Sequence, residues 1–149
     1  MVETTPEVSR TVFVLNKILA LQQYSLANYL VDAHPWLHYG DEKLVQIVRA
    51  IAEDQQRYVE QLGRWIVDHD GTILPGHYPL RFTAYNDVSL EYLWDRLIED
   101  ERHIVEQLEQ LVPQLAGTGE PYELALQILG SEKAHLENLL EVAPASAAA

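Results

Sequence analysis

Apolar residues recur at helical spacing in four stretches of this chain, and breakers separate them. The first stretch opens after Thr5, a good cap, with Pro6 in the first turn and Glu7 at the positive end of the helix dipole. Its stripe is Thr11, Leu15, Ile18, Leu19, Leu26, Tyr29 and Ala33, with Gln22 in the middle, and Pro35 ends it. Trp36, Leu37 and Tyr39 follow as an aromatic corner. The second helix is expected to start at Asp41 as cap and to run to about Asp70, with Gly71 as the stop. Its stripe is Leu44, Val48, Ile51, Ala52, Tyr58, Val59, Leu62 and Ile66, with Gln55 near the middle.

Gly71, Pro75, Gly76, Pro79 and Asn86 break any helix across 71–86. At ~3.3 Å per residue such a segment spans up to ~50 Å. A connection this long needs a reason inside a compact domain. The expectation is that it travels the length of the molecule, held down by Tyr78, Leu80, Phe82 and Tyr85, so that the second and third helices run parallel. The third helix starts near Asp87, with Leu90, Trp94, Leu97, Ile98, Ile104, Val105, Leu108 and Leu111 inward and Glu101 at the centre. Glu99, Arg102, His103 and Glu106 lie on its opposite face, and Pro113 and Gly117 close it. The fourth starts around Pro121 and carries Leu124, Ile128 and Leu139 on one face with Glu132 and His135. The fold class read from this is all-α: one four-helix domain over 1–142, with a frayed Ala-rich tail over 143–149.

Composition narrows the class. The 149 residues suit one domain, and 48% apolar residues suit a folded one. A formal net charge of −13 argues against nucleic-acid and anionic-membrane partners. The absence of cysteine excludes disulfides and thiolate metal sites. The acidic start is unlike a secretory signal, and no apolar run approaches the ~20 residues of a membrane span. A cytoplasmic protein is the expectation. Trp36, Tyr39, Trp65 and Tyr78 are more aromatic surface than four helices of this length easily bury, so a homodimer is expected unless the connection covers these rings.

The candidate chemistry lies where polar groups interrupt the stripes: Gln22, Gln55, Glu101, and Glu132 with His135. Three residues apart on one helix, Glu132 and His135 share a face. A carboxylate in an apolar core costs several kcal/mol unless it is paired, hydrogen-bonded or metal-bound. Two readings follow. In one, the layer is a satisfied hydrogen-bond network, with Gln amides holding the carboxylates. In the other, Glu101, Glu132 and His135 form an O,O,N set suited to iron, manganese or zinc. Asp100 and His103 have similar spacing but flank the buried stripe, and read as a solvated face. His34, His38, His69 and His77 lie at helix ends or in the connection and read as surface histidines.

This arrangement resembles the ferritin-like superfamily, bacterioferritin and rubrerythrin in particular. The resemblance covers about residues 8 to 142 and implies a four-helix bundle with one long crossover between helices two and three. The family's pattern is Glu on helix one, Glu-x-x-His on helix two, Glu on helix three and Glu-x-x-His on helix four. Glu101, Glu132 and His135 match the second half. Leu15-Asn16-Lys17-Ile18-Leu19 through Tyr29 resembles bacterioferritin's first helix, with Gln22 at the ligand position. On helix two, Arg57-Tyr58-Val59-Glu60 resembles the segment after the motif. That register puts Ile51 and Asp54 at the Glu and His positions, whereas centring on the apolar stripe puts Ala52 and Gln55 there. The metal candidates are therefore Glu101, Glu132, His135, Asp54 and Gln22. The resemblance implies a ferritin-like protein with a degenerate inter-helix metal centre, holding a weak or single ion at most. The alternatives are a non-enzymatic dimeric scaffold without metal, and a di-metal oxidase or iron-storage subunit with substituted ligands.

Overall fold

The computed structural model describes residues 5–33, 42–86 and 88–142, and among these all regular structure is helical. The helices are α1 (Pro6–Gln23), α2 (Leu26–Ala33), α3 (Glu42–Asp68), α4 (Leu90–Leu111) and α5 (Glu120–Glu141). Short 3-10 segments cover Leu80–Tyr85 and Val112–Leu115. Residues Asp41 and Asp87, expected at helix starts, lie outside the described residues. So do Pro35, the aromatic corner at 36–39, His34, His38 and the tail at 143–149.

The helix ends follow local chemistry. The Thr5 hydroxyl accepts the Val8 N–H at 3.1 Å and Ser89 accepts that of Tyr92 at 3.3 Å, each satisfying a donor that the first turn leaves over. Pro121 occupies the first turn of α5, where its missing N–H costs nothing. At the end of α3, Gly71 N–H returns to Ile66 O at 2.8 Å and Asp70 N–H to Val67 O at 3.1 Å. This is a Schellman closure. Its left-handed residue is Asp70, at φ 60°, rather than the neighbouring Gly71.

The single first helix expected from the sequence is in fact two. The break falls at Tyr24–Ser25, and two side chains hold it open. The Ser25 hydroxyl accepts the Asn28 N–H at 3.1 Å, and the Asp100 carboxylate from α4 accepts the Leu26 N–H at 3.0 Å. Together they cap α2 as a new helix.

The interior consists of two apolar clusters. One gathers Leu26 and Leu30 of α2, Leu44 to Ile51 at the start of α3, Leu90 to Ile98 at the start of α4, and Leu139 at the end of α5. The other gathers Val14 to Leu19 of α1, Leu62 and Ile66 at the end of α3, Ile104 to Leu111 at the end of α4, and Leu124 to Ile128 at the start of α5. Helices α3 and α4 therefore run from the first cluster to the second, while α1–α2 and α5 run the other way. Trp94 is fully buried in the first cluster and donates its indole N–H to Leu139 O at 2.9 Å, which ties α4 to the end of α5.

The connection after α3 must return to the first cluster before α4 can start. It does so along α1 and α2. The Asn16 amide donates to Thr72 O at 3.0 Å, and its oxygen accepts the Leu74 N–H at 2.9 Å. Gly76 passes so close to Tyr24 that an added Cβ would stand 2.5 Å from the ring and force the ring to shift. Tyr78 then packs edge-on against Tyr24 and Tyr29, and its hydroxyl donates to Asp32 at 2.8 Å. Phe82 is buried against Tyr29, whose hydroxyl donates to Asn86 at 2.7 Å. Of the four residues expected to hold the connection down, Phe82 is buried and Tyr78 and Tyr85 are half-buried, whereas Leu80 is exposed. Among the described residues no helix is long and apolar enough to cross a membrane.

Candidate functional site

The boundary between the two clusters is polar on every rod. Gln22 lies between Leu19 and Leu26, Gln55 between Ile51 and Leu62, and Glu101 between Ile98 and Ile104. Glu132 and His135 lie between Ile128 and Leu139. All five are buried. The matched depth follows from matched placement in the stripes, since each polar residue stands where its helix passes from one cluster to the other.

Gln55 is the hub. Its side-chain oxygen accepts the Ser25 hydroxyl at 2.6 Å and the Asn28 amide at 3.0 Å, and its own amide donates to Glu132 Oε2 at 3.0 Å. Asn28 also donates to Gln22 O at 2.7 Å and accepts from Gln56 at 2.9 Å. Ser25 and Asn28, both buried, belong to the layer although their positions in the stripe did not single them out. The signal for Ser25 was its spacing, three residues after Gln22 on the same helical face. Asn28 stands a further three residues on.

Glu101 and Glu132 face each other across the layer. Burial first, and then the neighbouring Glu132 charge, pushes the Glu101 carboxyl well above the usual range. Burial raises Glu132 as well, while hydrogen bonds from Glu101 and Gln55 and the nearby His135 pull it partway back. A hydrogen bond between two carboxyl groups requires that one of them keep its proton. The pair is therefore an acid dyad in which burial favours keeping a proton.

His135 does not complete this pair. Its Nε2 stands 2.7 Å from Asp54 Oδ2, toward the partly exposed edge of the layer. Positions 54 and 55 of α3 thus both engage α5, Asp54 through His135 and Gln55 through Glu132. The two sequence registers considered for this helix describe two neighbouring contacts of one interface. Ile51 and Ala52 are buried as core.

Four buried atoms of the layer have no hydrogen-bond partner: Glu101 Oε2, Glu132 Oε1 and both amide atoms of Gln22. Among the described residues no three His, Cys, Asp or Glu side chains group closely enough to hold a metal ion. The residues present do not fit a two-metal centre, because α1 offers an amide and Asp54 and Gln55 are committed to α5.

The flanking candidates divide. His103 is exposed, as expected of a solvated face. Asp100 is partly buried, and its carboxylate caps α2; burial pushes it above its ordinary range, and the Leu26 N–H pulls it back. His77 is exposed, and His69 stacks on Trp65 at 3.7 Å, with its Nδ1 2.8 Å from Trp65 O.

Comparison of the chain with protein-family models, with curated proteins and with solved structures finds no match.

Proposed function

We propose that this chain is a divergent ferritin-like four-helix bundle in which hydrogen bonds have replaced the inter-helix metal centre, serving as a non-enzymatic scaffold. Two features support the ferritin-like assignment: the full-length return between α3 and α4, and acids at the family's positions on α4 and α5. The observation that carries the scaffold reading is the commitment of the would-be ligands. Glu132 Oε2 is held by Gln55, and His135 Nε2 by Asp54. An imidazole and a carboxylate already paired must give up those partners, and a proton, before they can bind metal.

A second reading is favoured by the orphaned atoms. Glu101 Oε2, Glu132 Oε1 and Gln22 Oε1 are oxygens with lone pairs to spare. They would hold one weakly bound cation, iron or manganese suiting such a set better than zinc. Calorimetry on chelator-stripped protein with Fe(II), Mn(II) and Zn(II) separates the two. The scaffold gives no heat of binding and no change in melting temperature. A single site stabilises the fold, by ~2.7 kcal/mol when free metal is 100-fold above Kd, and Glu132→Ala abolishes the effect. Restoring the family's ligands, as Gln22→Glu with Ile51→Glu and Asp54→His, creates metal binding if the ferritin-like assignment holds. The scaffold is further proposed to be a homodimer, supported by exposed Phe13, Val67, Leu74 and Leu80. Light scattering that returns a 17.0 kDa particle would remove the dimer.

A further inference from the structure

Within the layer, both side-chain atoms of Gln22 lack a partner, as do Glu101 Oε2 and Glu132 Oε1. The three residues stand on α1, α4 and α5 where each helix passes from one apolar cluster to the other. Gln22 and Glu132 are 0% exposed and Glu101 is 3% exposed, so bulk solvent does not serve these atoms. Buried polar atoms are paired almost without exception, with protein or with internal water, because leaving them unpaired is costly. The types of the four atoms decide what can pair them. Three are oxygens, and the fourth, Gln22 Nε2, is a donor. A cation serves the oxygens but leaves an N–H facing a positive charge. An anion is set against the Glu101–Glu132 pair. A small neutral molecule that both donates and accepts serves all four, whichever way the Gln22 amide is turned.

We propose that the layer is a binding site for internal water, held between Gln22 and the Glu101–Glu132 pair. The donor and acceptor count asks for two molecules. One accepts the Gln22 N–H and donates to Glu101 Oε2 and to the second water. The second donates to Gln22 Oε1 and to Glu132 Oε1. Each then makes roughly the three hydrogen bonds that are usual for a buried water, and every orphaned atom is paired. The water ties α1 to α4 and α5 at a depth where the Gln22 side chain bonds directly to neither. The inference rests on the scaffold reading, in which no metal occupies the layer.

A high-resolution crystal structure of the full chain, chelator-stripped and then soaked with zinc, tests this. Density is expected about 2.7–3.2 Å from the Gln22 amide and from the two carboxyl oxygens, with no anomalous zinc signal. Contacts of about 2.0–2.2 Å that carry a zinc signal would overturn the scaffold reading and the water together. A Gln22 amide turned directly onto Glu101 or Glu132, with no density between them, would overturn the water and leave the scaffold standing. In solution, relaxation dispersion of the water-oxygen nucleus counts molecules held inside a protein. Gln22→Leu, close to glutamine in volume, should hold at least one water fewer than wild type, and an equal count overturns the proposal. Helical circular dichroism checks that the variant is folded, and the wild-type crystal decides the question if it is not.

Discussion

Gln55 concentrates the hydrogen bonding of the layer, so Gln55→Leu is the most informative single change. Leucine nearly conserves volume, and the cavity term is small. Three hydrogen bonds are lost: those from Ser25 at 2.6 Å and Asn28 at 3.0 Å, and that to Glu132 at 3.0 Å. Their consequences differ. The Asn28 amide keeps Gln22 O at 2.7 Å and Ser25 Oγ at 3.3 Å. The Ser25 O–H and Glu132 Oε2 are left buried and unpaired, at ~1–3 kcal/mol each. The expected loss is therefore ~2–6 kcal/mol, a large part of the ~5–15 kcal/mol that holds a typical domain together. Urea unfolding at neutral pH, with m unchanged, reads this as a lowered midpoint. Gln46→Leu, on the exposed face of the same helix, should stay within about 0.5 kcal/mol. Gln55→Glu makes a sharper test. It keeps an acceptor for Ser25 and Asn28 but sets a third carboxyl beside Glu132. Its loss should be larger at neutral pH than in acid, where the new group can be protonated and donate. A Gln55→Leu midpoint equal to wild type would show that the layer contributes no net hydrogen bonding, and the scaffold reading would lose its basis.

The acid dyad sets a pH dependence of definite sign. Glu101 and Glu132 have folded-state pKa values raised above the unfolded ~4.3, so their contribution is fully present below that pH and is lost as pH rises through the folded values. Glu101→Gln removes this loss, and its urea midpoint should rise relative to wild type as pH climbs above the unfolded ~4.3; parallel curves would refute the raised pair. Asp100→Ala should cost ~0.5–2 kcal/mol and speed hydrogen exchange at Leu26, because the start of α2 loses its acceptor, while Asp100→Asn should cost much less. Asp70→Gly should stabilise by ~0.5–1 kcal/mol in thermal unfolding, since glycine carries no penalty at φ 60°; a lowered melting temperature would contradict the Schellman closure.

The stripes were enough to place the helical stretches, apart from the break at Ser25, and the buried polar positions. A run such as Leu90, Trp94, Leu97, Ile98 and Ile104 has one way to bury itself, and a polar residue at its centre is carried inside with it. Gln22, Gln55, Glu101, Glu132 and His135 were all legible for that reason, as periodicity alone decides which residues share a face. What those residues do to one another was not legible. Whether His135 turns to Glu132 or to Asp54 depends on the rotation of α5 against α3, a property of two packed helices. The break at Ser25 was hidden because its cap is shared: one acceptor is local, and the other, Asp100, arrives from a helix 74 residues further on. Asp100 read as solvated because its own helix turns it away from the core stripe. Only the packing of α2 and the returning connection over that face gave it a donor to hold.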